Sequence, residues 1–109
     1  MNRTILSNDL KQLLVDRKNI LLLDVRRRND YVMDGQKIPG AAWLDPGKLA
    51  QWSTALPLDR EIVIYCVRGG SVSNAVVDQL QAKGIKARFI EGGIEAWKNA
   101  GGKTVAKSK

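Results

Sequence analysis

Apolar side chains along this chain gather in short unbroken runs, separated by polar stretches with a helical repeat. The runs "NILLLDV" (residues 19–25) and "EIVIYC" (residues 61–66) have strand length and no alternation, the pattern of strands buried on both faces. "KARFI" (residues 86–90) reads as a third strand and "AAWL" (residues 41–44) as a short fourth. Leu10, Leu13 and Leu14 share one face of a helix that Ser7 or Asn8 can cap. Val72, Ala75, Val76 and Leu80 share one face of another, which Gly84 stops. "DPGKLAQWSTALPLD" (residues 45–59) starts a helix with Pro46 in its first turn and leaves it at Pro57. "GGIEAWKNAGG" (residues 92–102) is a short helix between glycine-marked ends. The segment at residues 26–44 has room for only a helical turn near residues 30–33, because Gly35, Pro39 and Gly40 interrupt regular structure.

Apolar strands that alternate with helices pair in parallel through crossovers. The expected fold is therefore α/β, a central and mostly parallel sheet with helices on both faces. In such sheets the loops at the carboxyl ends of strands build the sites. Cys66 stands at such an end, ahead of a turn at Gly69 and Gly70.

The chain has 109 residues, 44% of them apolar, enough for one core. One domain spanning residues 1–109 is expected, with a frayed Lys- and Ser-rich tail at residues 103–109. No run approaches the roughly 20 apolar residues of a membrane helix. The opening "MNRTILSNDLKQLL" mixes polar side chains among apolar ones, unlike the centre of a signal peptide. A soluble cytoplasmic protein with no membrane partner is expected. The net charge of +7 favours encounters with anions. No aromatics are interleaved with Arg26, Arg27 and Arg28, or with Lys103, Lys107 and Lys109, so both clusters read as solvated surface and nucleic acid is not an expected partner.

One cysteine and no histidine remove internal disulfides, a CxxC redox pair, multi-cysteine zinc sites, His-ligated metals and every Cys-His or Ser-His-Asp constellation. Neither a metal nor an organic cofactor is expected. A nucleophilic thiol without histidine needs its negative charge stabilised by other means, because the thiolate is the reactive form. A helix that starts after Ser71 supplies about half a positive charge through unpaired amides. Gly69 and Gly70 let the loop turn tightly and aim more amides inward, and Arg68 adds a full charge. The competing reading makes Cys66 a small hydrophobe closing a buried strand, Gly69 and Gly70 ordinary turn residues, and Arg68 a solvated loop charge. The succession of strand, cysteine, Gly-Gly turn and helix favours the nucleophile.

Four stretches in order then resemble the single-domain rhodaneses, a sulfurtransferase family, over nearly the full length of the chain. "LLLDVRRRNDY" resembles the family's Asp-Val-Arg followed by an acidic and an aromatic residue, and "IPGAAWL" its Ile-Pro-Gly-Ala lead into the next strand. "IVIYCVRGGS" occupies the place of the active-site strand and loop, and "FIEGGIEAWKNAG" resembles the closing Gly-Gly-x-x-Ala-Trp segment. The resemblance implies that Cys66 is the sulfur acceptor and that Val67, Arg68, Gly69, Gly70 and Ser71 form the cradle around it. It matches Asp24, Arg26 and Asp30 to paired charges with a structural role in an ion pair and turn, and Trp97 to a packing aromatic. Two places depart from the family pattern. "GQKIPG" (residues 35–40) replaces a Gly-His-Ile-Pro stretch with one extra residue, and Ser71 stands where many members carry a basic residue, so Arg68 is expected to compensate.

The implied chemistry moves a sulfane sulfur from a small anionic donor, thiosulfate or a persulfide, through a Cys66 persulfide to cyanide or to a thiol acceptor, a small molecule or a protein. The alternative is a rhodanese domain without turnover, acting as sulfur carrier, sensor or protein-binding module; such domains often lack the cysteine, which this chain keeps. A phosphatase or arsenate reductase loop, with Arg six positions after Cys, is not matched: Val72 stands there, and Arg68 is only two positions on.

Overall fold

A computed structural model describes residues 3–16 and 19–107. In chain order its elements are β1 (Thr4–Ile5), α1 (Ser7–Val15), β2 (Ile20–Asp24), α2 (Arg28–Met33), β3 (Gln36–Lys37), β4 (Ala42–Trp43), a 3₁₀ turn at Pro46–Lys48, α3 (Leu49–Trp52), a second 3₁₀ turn at Ser53–Ala55, β5 (Glu61–Tyr65), α4 (Ser71–Ala82), β6 (Lys86–Ile90), α5 (Gly93–Asn99) and β7 (Val105–Ala106). Five strands form one all-parallel sheet in the order β1-β6-β5-β2-β4. β3 and β7 pair antiparallel beside it.

The unbroken apolar runs are buried on both faces, as expected. From β5, Ile62 and Ile64 enter one core with Leu23, Val76, Val77 and Leu80, while Val63 and Tyr65 enter the other with Leu22, Ile90, Ile94 and Trp97. α4 packs on the first face and α5 on the second. Residues 62–65 are all at 0% exposure. At roughly 1.5–3 kcal/mol per fully buried large apolar side chain, β5 is anchored along its whole length, and Cys66 is the next residue.

The chain order explains where a cleft opens. From β2 the chain moves outward to the β4 edge, returns to the central β5, then moves the other way through β6. Successive crossovers therefore leave the β2–β5 pair on opposite faces, and at such a reversal the loops beyond the strand ends part. The register places Asp24 beside Tyr65, so the loops starting at Val25 and Cys66 flank the opening.

Several expectations are corrected. Residues 28–33 form a helix of 6 residues rather than a single turn. Ser7 does not cap α1; it is the first helical residue, with Leu6 at the cap, and Leu14 stays 38% exposed while Leu10 is buried. On α4 the buried stripe is Ser73, Val76, Val77 and Leu80, and Ala75 faces solvent. The tail is not frayed through residue 107: the Trp97 indole N–H donates to the Lys103 carbonyl at 2.8 Å, and β7 pairs with β3. Ser108 and Lys109 lie outside the described residues. Lys107 is not simply solvated, since its ammonium lies 3.9 Å from the centroid of the Tyr31 ring. The extra residue of "GQKIPG" falls in the stretch that supplies β3.

Candidate active site

The run Arg26, Arg27 and Arg28 does not behave as one solvated cluster. Arg26 is 1% exposed and Asp24 is fully buried. The Arg26 guanidinium donates to both Asp24 oxygens, at 2.7 Å from Nη2 to Oδ2 and 3.0 Å from Nε to Oδ1, and Arg26 Nη1 reaches Asp34 at 2.9 Å. Tyr65 donates its phenol to Asp24 at 3.2 Å. Burial pulls the Arg26 pKa down, but the hydrogen bonds and charge of Asp24, helped by Asp34, outweigh it and leave the pKa raised. Burial, reinforced by the Asp24 charge, pushes the Tyr65 phenol up. The expected ion pair is thus present between Asp24 and Arg26. Asp30 lies elsewhere: it is exposed, in the first turn of α2, and the further carboxylate on Arg26 is Asp34.

Because Arg26 is turned inward, its neighbour Arg27 is left at the mouth of the cleft. A cavity of about 280 Å³ opens there, lined by Arg27 and Asp30 from beyond β2 and by Cys66, Val67, Arg68, Gly70, Ser71 and Val72 from beyond β5. Cys66 is 6% exposed, and its Sγ accepts a hydrogen bond from Ser73 Oγ at 2.9 Å. α4 begins at the cavity wall with Ser71 and has no side-chain cap. Its first-turn amides therefore lack intrahelical partners, and the positive end of its dipole lies beside the sulfur.

The loop after β5 is held from below by the start of α5. Ile94 N–H donates to the Cys66 carbonyl at 3.0 Å and Glu95 N–H to the Val67 carbonyl at 3.1 Å. Across each planar peptide the next N–H points the opposite way, so those of Val67 and Arg68 face away from α5. Both glycines at the contact are needed. A Cβ on Gly93 would come within 2.4 Å of the Val67 carbonyl oxygen, and one on Gly69 within 3.0 Å of the Ile90 carbonyl oxygen, and both residues have positive φ. Gly93 at the start of α5 is therefore a seat for the cysteine loop as well as a helix start, and Gly69 lets the loop settle on it.

Arg68 does not stand alone. Its Nε donates to Glu95 at 3.1 Å, with the two side chains 78% and 54% exposed. Its charge is partly offset at the cavity rim, whereas Arg27 forms no ion pair with another described residue. The sequence reading expected residues 66–71 to form one cradle; Cys66, Val67, Arg68, Gly70 and Ser71 line the cavity, whereas Gly69 is not among its lining residues and packs against the Ile90 carbonyl and the Gly92 amide. That reading missed Arg27, hidden in a run that looked uniformly solvated, and Ser73, a hydroxyl at i of an i, i+3, i+4, i+7 buried stripe whose other members are apolar. Among the described residues no cluster of His, Cys, Asp and Glu could hold a metal, and no helix is long and apolar enough to cross a membrane.

A parallel α/β sheet that presents a buried thiol at the carboxyl end of its central strand, against a helix amino terminus, defines a cysteine-loop α/β domain. The chain belongs to the rhodanese-like family, whose Rhodanese-like domain profile matches residues 6–100. It is 31% identical over 86 residues, 78% of each chain, to a protein of Coxiella burnetii named thiosulfate sulfurtransferase GlpE. It is 32% identical over 95 residues, 87% of each chain, to a sulfurtransferase of Allochromatium vinosum. The crystal structure of a rhodanese-like domain protein from Staphylococcus aureus superposes with a TM-score of 0.82 at 29% identity, covering 98% of this chain and all of that one.

Proposed function

We propose that the protein is a sulfurtransferase that carries sulfane sulfur on Cys66. The observation that supports this most is the Cys66 Sγ lining an open cavity at the amino terminus of α4, with a hydroxyl donor already on it. The thiolate attacks the outer sulfur of thiosulfate; the S–S bond breaks, its electron pair leaves with sulfite, and Cys66 becomes a persulfide. A thiolate or cyanide then attacks the terminal sulfur, and Cys66 departs as thiolate. Preorganised amides and Arg27 stabilise the negative charge throughout, so the two steps use groups of the chain alone. A cytoplasmic setting keeps a lone thiol reduced.

Thiocyanate formed from thiosulfate and cyanide is the direct assay. Cys66→Ser is expected to fold and to form none; undiminished thiocyanate from that variant would remove the mechanism. A wild-type protein that loads sulfur from thiosulfate but releases none to cyanide or thiols would be a carrier or sensor instead.

Three further variants test the geometry. Arg27→Ala should raise the thiosulfate KM roughly tenfold, the effect of one charged contact, and flatten its salt dependence. Arg68→Ala should do less, because Glu95 already shares that charge. Equal effects would show that both cations hold the donor. Ser73→Ala should lower kcat several-fold, with KM and thermal stability little changed, since the hydroxyl orients the sulfur rather than the donor. A Ser73→Ala enzyme with unchanged kcat would make the hydrogen bond incidental.

A further inference from the structure

Beyond the Cys66 cavity the surface holds two more hollows in a continuous line. One of about 530 Å³ shares Arg27, Ser71 and Val72 with the Cys66 cavity. Another of about 710 Å³ shares Arg28 and Asp45 with the second. The outermost is lined by Trp43 and Trp52. Both indole N–H groups are spent inside the protein: Trp43 donates to the Arg26 carbonyl at 2.8 Å and Trp52 to the Asp45 carbonyl at 2.7 Å. Tyr31 stacks on Trp43 with ring centroids 4.8 Å apart. These rings are fixed and offer a ligand apolar surface rather than hydrogen bonds, the character of a preformed anchor pocket. Val32, 64% exposed, extends that surface.

Cations follow the same line. Arg27 lies between the first two hollows, Arg28 between the second and third, and Lys48 lines the third. None of the three is ion-paired with another described residue. The carboxylates of Asp30 and Asp45 are interspersed among them. A polypeptide answers that mixture, because its side-chain carboxylates meet the cations and its backbone N–H groups meet the carboxylates. A nucleic-acid backbone has acceptors only. With one face of Trp43 taken by Tyr31, the trough is also a poor stacking platform for bases.

The geometry points to a polypeptide as sulfur acceptor: an acidic segment lies along Arg27, Arg28 and Lys48, an apolar side chain enters the Trp43–Trp52 hollow, and a cysteine thiol is brought over Cys66. This rests on the sulfur-transfer reading of Cys66. The acceptor thiolate attacks the terminal sulfur of the Cys66 persulfide, the S–S bond breaks with its electron pair on Cys66, and the acceptor leaves as a persulfide, so no external oxidant or reductant is required.

The test uses synthetic peptides with one cysteine, one leucine and a run of glutamates, against twins with glutamine in place of each glutamate. At low salt the acidic peptide should discharge persulfide-loaded protein roughly tenfold faster than its twin, a gap that closes as salt rises. The Arg28→Glu/Lys48→Glu double variant should lose that gap while it still loads from thiosulfate and discharges to cyanide. Calorimetric titration of the unloaded protein with serine-for-cysteine peptides reads docking without sulfur chemistry. Failure to load with selective docking intact would count against the sulfur reading alone and support the surface. Equal discharge and equal docking by the two peptides, an unaffected double variant, or tighter binding of a single-stranded RNA than of the acidic peptide would overturn the proposal.

Discussion

Replacing Asp24 with Asn is expected to destabilise the protein by roughly 3–5 kcal/mol, because it leaves the buried Arg26 guanidinium without its principal counter-charge. Asn keeps the volume and one acceptor oxygen, so the loss is of charge rather than of packing. Native Asp24 accepts from the Arg26 backbone N–H at 3.0 Å, from its guanidinium, and from the Tyr65 phenol. An amide cannot serve all of these donors. For a domain with a total stability of about 5–15 kcal/mol, the expected drop in Tm exceeds roughly 10 °C. Arg27 should also lose its fixed position, since the residue before it no longer holds the loop. Chemical denaturation read by circular dichroism measures the first effect; a cost below about 1 kcal/mol would mean that Asp34 alone can compensate Arg26.

Gly93→Ala is the second large effect, and it links stability to the site. The φ of Gly93 is +64°, and the new methyl would stand 2.4 Å from the Val67 carbonyl oxygen and 2.5 Å from that of Cys66. Both oxygens belong to backbone that accepts from the first amides of α5, so neither can give way without breaking a hydrogen bond. Backbone strain of about 1–3 kcal/mol adds to two lost hydrogen bonds at about 1 kcal/mol each. The variant should be several kcal/mol less stable and, where folded, slow to take up sulfur, because the cysteine loop is lifted off its seat. Gly101→Ala is the matched control. Its φ is +77°, but the nearest atom to the added methyl is Lys11 Nζ at 3.7 Å, so it carries strain without a backbone clash and should load sulfur normally. Comparable loading by the two variants would show that the α5 contact does not position Cys66.

The pattern of apolar runs made the sheet and its crossover helices legible, since burial on both faces leaves β2 and β5 no polar positions until their ends. Of the two-residue strands, β4 was marked by the apolar AAWL run, whereas β1 and β3 lie in mixed polar stretches too short to show a period. β7 was hidden because Val105–Ala106 sits in a polar tail, and its order comes from pairing with β3 and from the Trp97 bond to Lys103. At the site, a strand end followed by glycines marked Cys66. Arg27 was obscured for a tertiary reason: the resemblance singled out Asp24 and Arg26 as paired charges, but that turning Arg26 inward leaves Arg27 on the cavity wall shows only in the folded loop. Ser73 was passed over because a buried hydroxyl on an apolar stripe reads as an interruption of the pattern, whereas here it completes the stripe and meets the sulfur.

Whether sulfur travels on the Cys66 Sγ is read from the intact mass of the protein after thiosulfate, before and after cyanide. A gain of one sulfur atom that cyanide removes is expected, with the unmodified mass restored and Cys66→Ser unchanged in both steps. An unmodified wild-type mass after thiosulfate, or the same gain in Cys66→Ser, would contradict transfer on Cys66.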